Sequence, residues 1–398
     1  MRNVLQRFIP TCLLILSAAA TVSAQTVSRV YITTSSGINV YNVTATGKLT
    51  AVAGSPFKGI AGLAIGTAGN HFIAVGTTYI HSYAVTATGG IGGQVSQINS
   101  ALYYGAECGP TAGGGIIDHT GQEVYVQTNG NQDAWCNALQ TYKVNTKTGV
   151  LTFNGASEFQ IDDRGGPASF LTLAPNNAHA YYIAPEYESC GGTISGFYRD
   201  SYGTLYSAPF NLTNPSFPGL ESGGGYFYPG SQANIAADST GHLAMAMYQD
   251  VTPPCDGVIG PWQLASFTVD YYGNLTSTNQ GAKMPKLDVY PTALSISPAG
   301  NLLAVANKYA SGSWFNWNTS SGIELFHFNG ANLITHYSAV FNTATIDSIA
   351  WDKSNHLFAI STLGKKLYVY TVTPTTLVQA PGSPYTISSP STLFVDAL

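Results

Sequence analysis

The stretch Pro390-Ser-Thr-Leu-Phe-Val-Asp-Ala-Leu398 decides the fold. Leu393, Phe394 and Val395 favour an extended strand, yet no further strand follows in this sequence to make a hairpin with it. A strand whose N–H and C=O groups lack a neighbour invites mispairing, so its partner must lie far back in the chain.

Working backwards, the chain resolves into a repeat. One signature is an aromatic strand, a short polar turn with Gly, and a second short strand. It reads "VYNVTATGKLTAV" from Val40, "SYAVTATGGIGG" from Ser82, "TYKVNTKTGVLTF" from Thr141, "GFYRDSYGTLYS" from Gly196 and "SFTVDYYGNLTS" from Ser266. Weaker copies are "LFHFNGANLITH" from Leu325 and "VYTVTPTTLVQ" from Val369. The aromatic anchors are Tyr41, Tyr83, Tyr142, Phe197, Phe267, Phe326 and Tyr370. A second signature, two apolar strands around a Gly/Asn turn, precedes every copy but the first, as in "GLAIGTAGNHFIAVG" from Gly62. Gly and Asn supply the positive φ that tight hairpins need. Four strands per unit at roughly 50-residue spacing is the pattern of a β-propeller. The first unit lacks its innermost strand. The prediction is therefore an all-β, seven-bladed propeller over residues 25–398, with four-stranded antiparallel blades. In it, Pro390–Leu398 completes blade 1 beside Val30-Tyr31-Ile32.

The stretch Pro291–Asn307, P-x-x-L-x-I-x-P-x-G-N-x-L-x-V-A-N, resembles the repeat of the seven-bladed lactonase-like propellers, the 6-phosphogluconolactonase-type and muconate-cycloisomerase-type proteins. The resemblance covers nearly the whole chain after residue 24, and its motifs describe hairpins. It implies the propeller fold, and lactone hydrolysis as an associated activity.

Residues 1–24 read as a secretory signal peptide: Arg2 and Arg7 precede an apolar run from Phe8 to Val22, and Val22-Ser23-Ala24 offers a small-residue cleavage site. Export to the periplasm or the medium is expected, with no membrane span and a monomeric state. Only 9% of residues are charged and the formal net charge is −5, so no basic surface points to nucleic acid. Four cysteines follow the leader, Cys108, Cys136, Cys190 and Cys255, and an even number in an exported chain suggests two disulfides. Cys108–Cys136 with Cys190–Cys255 is the expected pairing, and Cys136–Cys190 the alternative.

Unequal loops mark the face where function would sit. The loops joining the second and third strands are short in blades 1, 2 and 7 and long in blades 3 to 6, as in "NKYASGSWFNWNTSSG" from Asn307. An insert from Asn211 to Gln232 leads into blade 5. These loops carry Trp135, Tyr187, Tyr228, Trp262, Trp314 and Trp317 among amides and carboxylates. Flat aromatic faces with polar neighbours suit a carbohydrate, or a protein ligand; alternatively the rings pack the loops against one another. For hydrolysis, the candidates are Asp162, Asp163 and Arg164 in "IDDRGGP", with Lys286 beside Asp288. There a carboxylate would activate water and a cation would steady the oxyanion, or the same groups form a surface ion pair. His71, His119, His179, His242 and His356 fall at or near hairpin turns on the opposite face and are expected to be solvated. No H-x-H or H-E-x-x-H spacing points to a metal; no metal and no cofactor is expected.

Overall fold

The computed structural model describes residues 25–60, 62–100, 115–128, 138–158, 171–174, 176–185, 192–207, 227–229, 235–250, 259–279, 283–307, 320–330 and 332–398. Among these, all regular structure is β-strand, in seven separate antiparallel sheets. Blade 1 comprises β1 (Thr26–Thr34), β2 (Gly37–Thr44), β3 (Leu49–Ala51) and β30 (Pro390–Ala397). Blade 2 is β4 (Leu63–Ala68), β5 (His71–Val75), β6 (Tyr79–Val85) and β7 (Ile91–Asn99). Blade 3 is β8 (Gly115–Ile117), β9 (Glu123–Thr128), β10 (Ala138–Val144) and β11 (Leu151–Glu158). Blade 4 is β12 (Thr172–Leu173), β13 (His179–Pro185), β14 (Gly192–Arg199) and β15 (Leu205–Ser207). Blade 5 is β16 (Phe227–Pro229), β17 (Ile235–Ala237), β18 (His242–Asp250), β19 (Ile259–Val269) and β20 (Leu275–Ser277). Blade 6 is β21 (Ala293–Ile296), β22 (Leu302–Asn307), β23 (Gly322–His327) and β24 (Thr335–His336). Blade 7 is β25 (Ser348–Trp351), β26 (His356–Ser361), β27 (Lys366–Val372), β28 (Leu377–Gln379) and β29 (Tyr385–Thr386). The strands of each blade are A to D from the inside outwards.

The ring closes where the sequence places it. β30 pairs antiparallel with β1, with Val395 opposite Val30, Phe394 opposite Tyr31 and Leu393 opposite Ile32. Side chains alternate across a strand, so this strand serves two neighbours. Leu393 and Val395 join the cluster shared with blade 7, built on Phe358, Ile360 and Val369. Phe394 joins the cluster shared with blade 2. Its ring lies 6.0 Å from that of Tyr31, which in turn lies 5.2 Å from Phe72 on β5.

The core is the set of surfaces between blades, and the aromatic anchors line it. Tyr142, Phe197, Phe267 and Phe326 are at most 1% exposed, Tyr83 and Tyr370 are buried, and Tyr41 is half-buried. All seven lie within strand C, none at its end.

The histidines correct the sequence reading. His71, His179 and His356 are buried, not solvated, because strand B, near its start, points at the C–D turn of the next blade. His356 of blade 7 reaches Ala45 O in blade 1, and His242 of blade 5 lies against Gly330 in blade 6. A β-carbon on Gly149 of blade 3 would lie 2.4 Å from His71 of blade 2. Glu123 of blade 3 meets Gly203 of blade 4 in the same way, and Arg29 of blade 1 meets Gly89 of blade 2. In blade 4 the contact passes through Tyr181, whose hydroxyl donates to Gly273 O of blade 5. At the remaining junction the strand starts with Leu302, and the facing turn Thr373–Thr376 holds no glycine. The turn glycines therefore do more than bend the chain: they leave room for a polar side chain from the neighbouring blade.

Candidate functional site

In blades 1, 5, 6 and 7 the connection from the outermost strand to the next blade folds back along strand C. Phe57 pairs with Ile38, Lys286 with Gln263, Phe341 with Ile323 and Tyr385 with Leu367. These connections and the B–C loops share one face: Phe57 O lies beside Gly37, and Asn342 O beside Gly322. Lys286 sits on the connection between blades 5 and 6 with its side chain exposed, and Asp288 is exposed two residues on.

Beneath that connection is a carboxylate that the sequence reading did not single out. Glu324 on β23 has a fully buried side chain. One of its oxygens accepts the Asp288 N–H at 3.0 Å, and the other lies 3.1 Å from Nδ1 of His336, which is half exposed. Burial pushes its pKa up to about 7; the Asp288 N–H bond opposes this and the Asp288 charge adds to it. Gln140 holds the corresponding place on β10 and donates to Ser100 O on the preceding connection at 2.9 Å. Both positions lie two residues before a strand-C aromatic, where the other blades have Asn39, His81, Ser195, Ala265 and Tyr368. An acidic residue inside the apolar strand "GIELFHF", at a repeat position with no other acid, was the available signal.

A pH dependence follows. The unfolded carboxyl titrates near 4.5 and the folded one near 7, so between these values the native state binds a proton that the unfolded chain has released. Stability should fall as pH rises through that window, by at most about 3 kcal/mol. Glu324→Gln keeps an acceptor for Asp288 N–H and removes the charge. Its melting temperature is expected to exceed that of the wild type at about pH 8, with the slope between about pH 5 and 8 flattened. An unchanged slope in thermal melts would assign the titration elsewhere.

Of the residues expected to bind ligand, Trp262 is 5% exposed and packs edge-on against Tyr290 with ring centroids 5.2 Å apart. It lies at the loop end of the longest hairpin, where β16 adds a further strand. There Tyr228, Tyr248 and Trp262 fall on one register line across β16, β18 and β19. Trp135, Tyr187, Trp314, Trp317, the candidate catalytic residues Asp162, Asp163 and Arg164, and all of Cys108, Cys136, Cys190 and Cys255 lie outside the described residues.

A cleft of ≈ 410 Å³ opens on the opposite face, between blades 3 and 4. Its floor is the Glu123 junction. Arg199 donates to Glu123, lies 3.7 Å from Asp118, and is held in its charged form by Tyr125, Glu123 and Asp118 against the opposing effect of burial. Burial raises the Glu123 pKa although Arg199 opposes this. Gln122, Lys143, Asp200, Ser201 and Tyr202 form the rim.

No protein-family model and no curated protein matches this chain. Solved structures do. The periplasmic gluconolactonase of Pseudomonas aeruginosa superposes with a TM-score of 0.62 at 14% identity, covering 93% of this chain and 99% of its own. A protein of Bacteroides uniformis described as a candidate 6-phosphogluconolactonase gives 0.62 at 13% identity, covering 93% and 100%. A Lactobacillus plantarum protein gives 0.56 at 13%, covering 93% and 99%. The fold thus defines a seven-bladed β-propeller. More particularly, its architecture is that of the 6-phosphogluconolactonase-like propellers, a likeness of fold alone at these identities. Among the described residues no helix is long and apolar enough to cross a membrane.

Proposed function

We propose that the chain is an exported recognition module that binds a glycan or protein ligand on the long-loop face of blades 3 to 6. The observation that carries this reading is the register line of Tyr228, Tyr248 and Trp262 at the loop end of blade 5, where the sheet is lengthened by a strand outside the four-stranded pattern. The loops bearing Trp135, Tyr187, Trp314 and Trp317 join strands B and C of blades 3, 4 and 6 in the sequence. Buried Trp262 serves as the support of that surface rather than its contact ring. The leader at residues 1–24 supports export, as does the periplasmic location named for the Pseudomonas neighbour.

A second reading, hydrolysis of a sugar lactone or related lactone at the channel mouth, is favoured by the lactonases among the structural neighbours. Asp162 or Asp163 would be the base, and Arg164 or Lys286 the oxyanion partner. One experiment separates the two: a glycan and lactone panel on the chain lacking residues 1–24, with Trp314→Ala and Asp163→Ala. The recognition reading expects glycan or protein binding that Trp314→Ala weakens at least about tenfold, without turnover. Lactone turnover abolished by Asp163→Ala would overturn it in favour of the hydrolase.

A further inference from the structure

We infer that the cleft between blades 3 and 4, on the face opposite the long loops, is a second binding site, and that its ligand is a neutral saccharide. Three observations carry this. The first is a preorganised aromatic platform. Tyr202 is 70% exposed at the cleft rim, yet its backbone is held on both sides: its N–H donates to Asp200 Oδ1 at 2.9 Å, and its C=O accepts from Asn154 at 2.7 Å. The turn thus presents the exposed Tyr202 side chain at the mouth of the cleft. Tyrosine offers broad contact area at little cost in side-chain entropy.

The second observation is repetition. "DSYG" of blade 4 recurs as "DYYG" in blade 5, where Tyr272 is 69% exposed and its N–H also donates to an aspartate, Asp270, at 2.9 Å. Blades 1 and 2 have Thr46 and Thr88 at that turn position. Two adjacent blades thus present equivalent tyrosines at equivalent turns.

The third is charge. The lining sets Lys143 and Arg199 against Glu123 and Asp200. Arg199 is already paired with Glu123, and Asp200 accepts the N–H groups of Tyr202 and Thr204. The lining's formal charges therefore cancel, two cations against two carboxylates, and it offers no net positive field for a phosphate or carboxylate. Gln122, Lys143 and Ser201 are left to bond hydroxyls while Tyr202 covers an apolar ring face.

The test is calorimetric titration of the chain lacking residues 1–24 with cellohexaose and laminarihexaose, and with oligogalacturonate as the anionic probe. Binding of at least one neutral hexasaccharide is expected, weakened at least about tenfold by Tyr202→Ala. Tyr202→Phe keeps the ring and should retain the affinity; the titrations are repeated in the Trp314→Ala background, so that the affinity lost with Tyr202→Ala is not that of the long-loop face. Tyr202→Ala lies at an exposed position, and its melting temperature reports whether the fold is intact. No binding of either neutral sugar, tighter binding of oligogalacturonate, or affinity that survives Tyr202→Ala would each overturn the assignment.

Discussion

Deleting Ser391–Leu398 should abolish the cooperative unfolding transition, or move its midpoint to less than half the wild-type denaturant concentration. The deletion removes most of the ladder along β1 and uncovers Val30, Tyr31 and Ile32, each 0% exposed in the intact ring. It also takes away Leu393 and Val395 from the blade 7 side, Phe394 from the blade 2 side, and the bond from Thr67 to Asp396. Burying one apolar side chain is worth about 1.5–3 kcal/mol, so losses over several such residues reach the whole stability of a typical domain, about 5–15 kcal/mol. Blades 7 and 1 would then be joined only through the remaining strands of the seam. Urea denaturation followed by circular dichroism measures this, and a truncated chain with unchanged midpoint and slope would mean that the ring does not depend on that strand.

Asp352→Ala should cost about 3–5 kcal/mol, the range for stripping one partner from a buried charged network. Asp352 is 1% exposed and uses both carboxylate oxygens. Oδ1 accepts the N–H groups of Ser354 and His356 at 2.9 Å each, and Oδ2 accepts Ser28 Oγ at 2.7 Å and meets His356 Nδ1 at 2.7 Å. Because Ser28 belongs to blade 1, this one carboxylate ties the two blades that close the ring. Burial opposes its charge, but the bonds from His356 and Ser28 outweigh burial and hold the carboxyl below its ordinary value of 3.8. A depressed folded pKa contributes stability above the unfolded value that is lost as pH falls through the folded one. The staple should accordingly hold in mild acid and fail only below about pH 4. Asp352→Asn retains one acceptor oxygen of two and should recover only part of the loss. Asp238→Ala, at a turn where the carboxylate bonds Thr240 and His242 of its own blade, is the control and should cost less. Equal losses at the two sites would show that the link between blades adds nothing.

The architecture was legible because it is written in local, repeated chemistry. Seven aromatic anchors and the turn glycines recur at the spacing of one blade, and the unpaired Leu393-Phe394-Val395 points to the one sheet short of a strand. The staples were not. His71, His179 and His356 read as solvated turn residues because a turn in isolation faces water. Their burial arises from a turn in the next blade, distant in sequence and, for His356, 311 residues away. Glu324 was missed for a related reason: nothing nearby in sequence says that the connection bearing Asp288 will lie over it. Comparing equivalent repeat positions would have exposed it, since an acid stands there where other blades carry neutral or imidazole side chains.

By itself, then, the sequence determined the strand pattern, the number of blades and the strand that closes the ring, since these depend on periodicity and on the requirement that every strand find a partner. Only the tertiary structure decided which polar residues are buried, which carboxyl is pushed toward neutrality, and that Tyr202 stands over a cleft floored by Glu123 and Arg199. These properties are set where one blade meets the next. The groups that meet there come from distant parts of the chain, and burial and charge pairing exist only once the ring has brought them together.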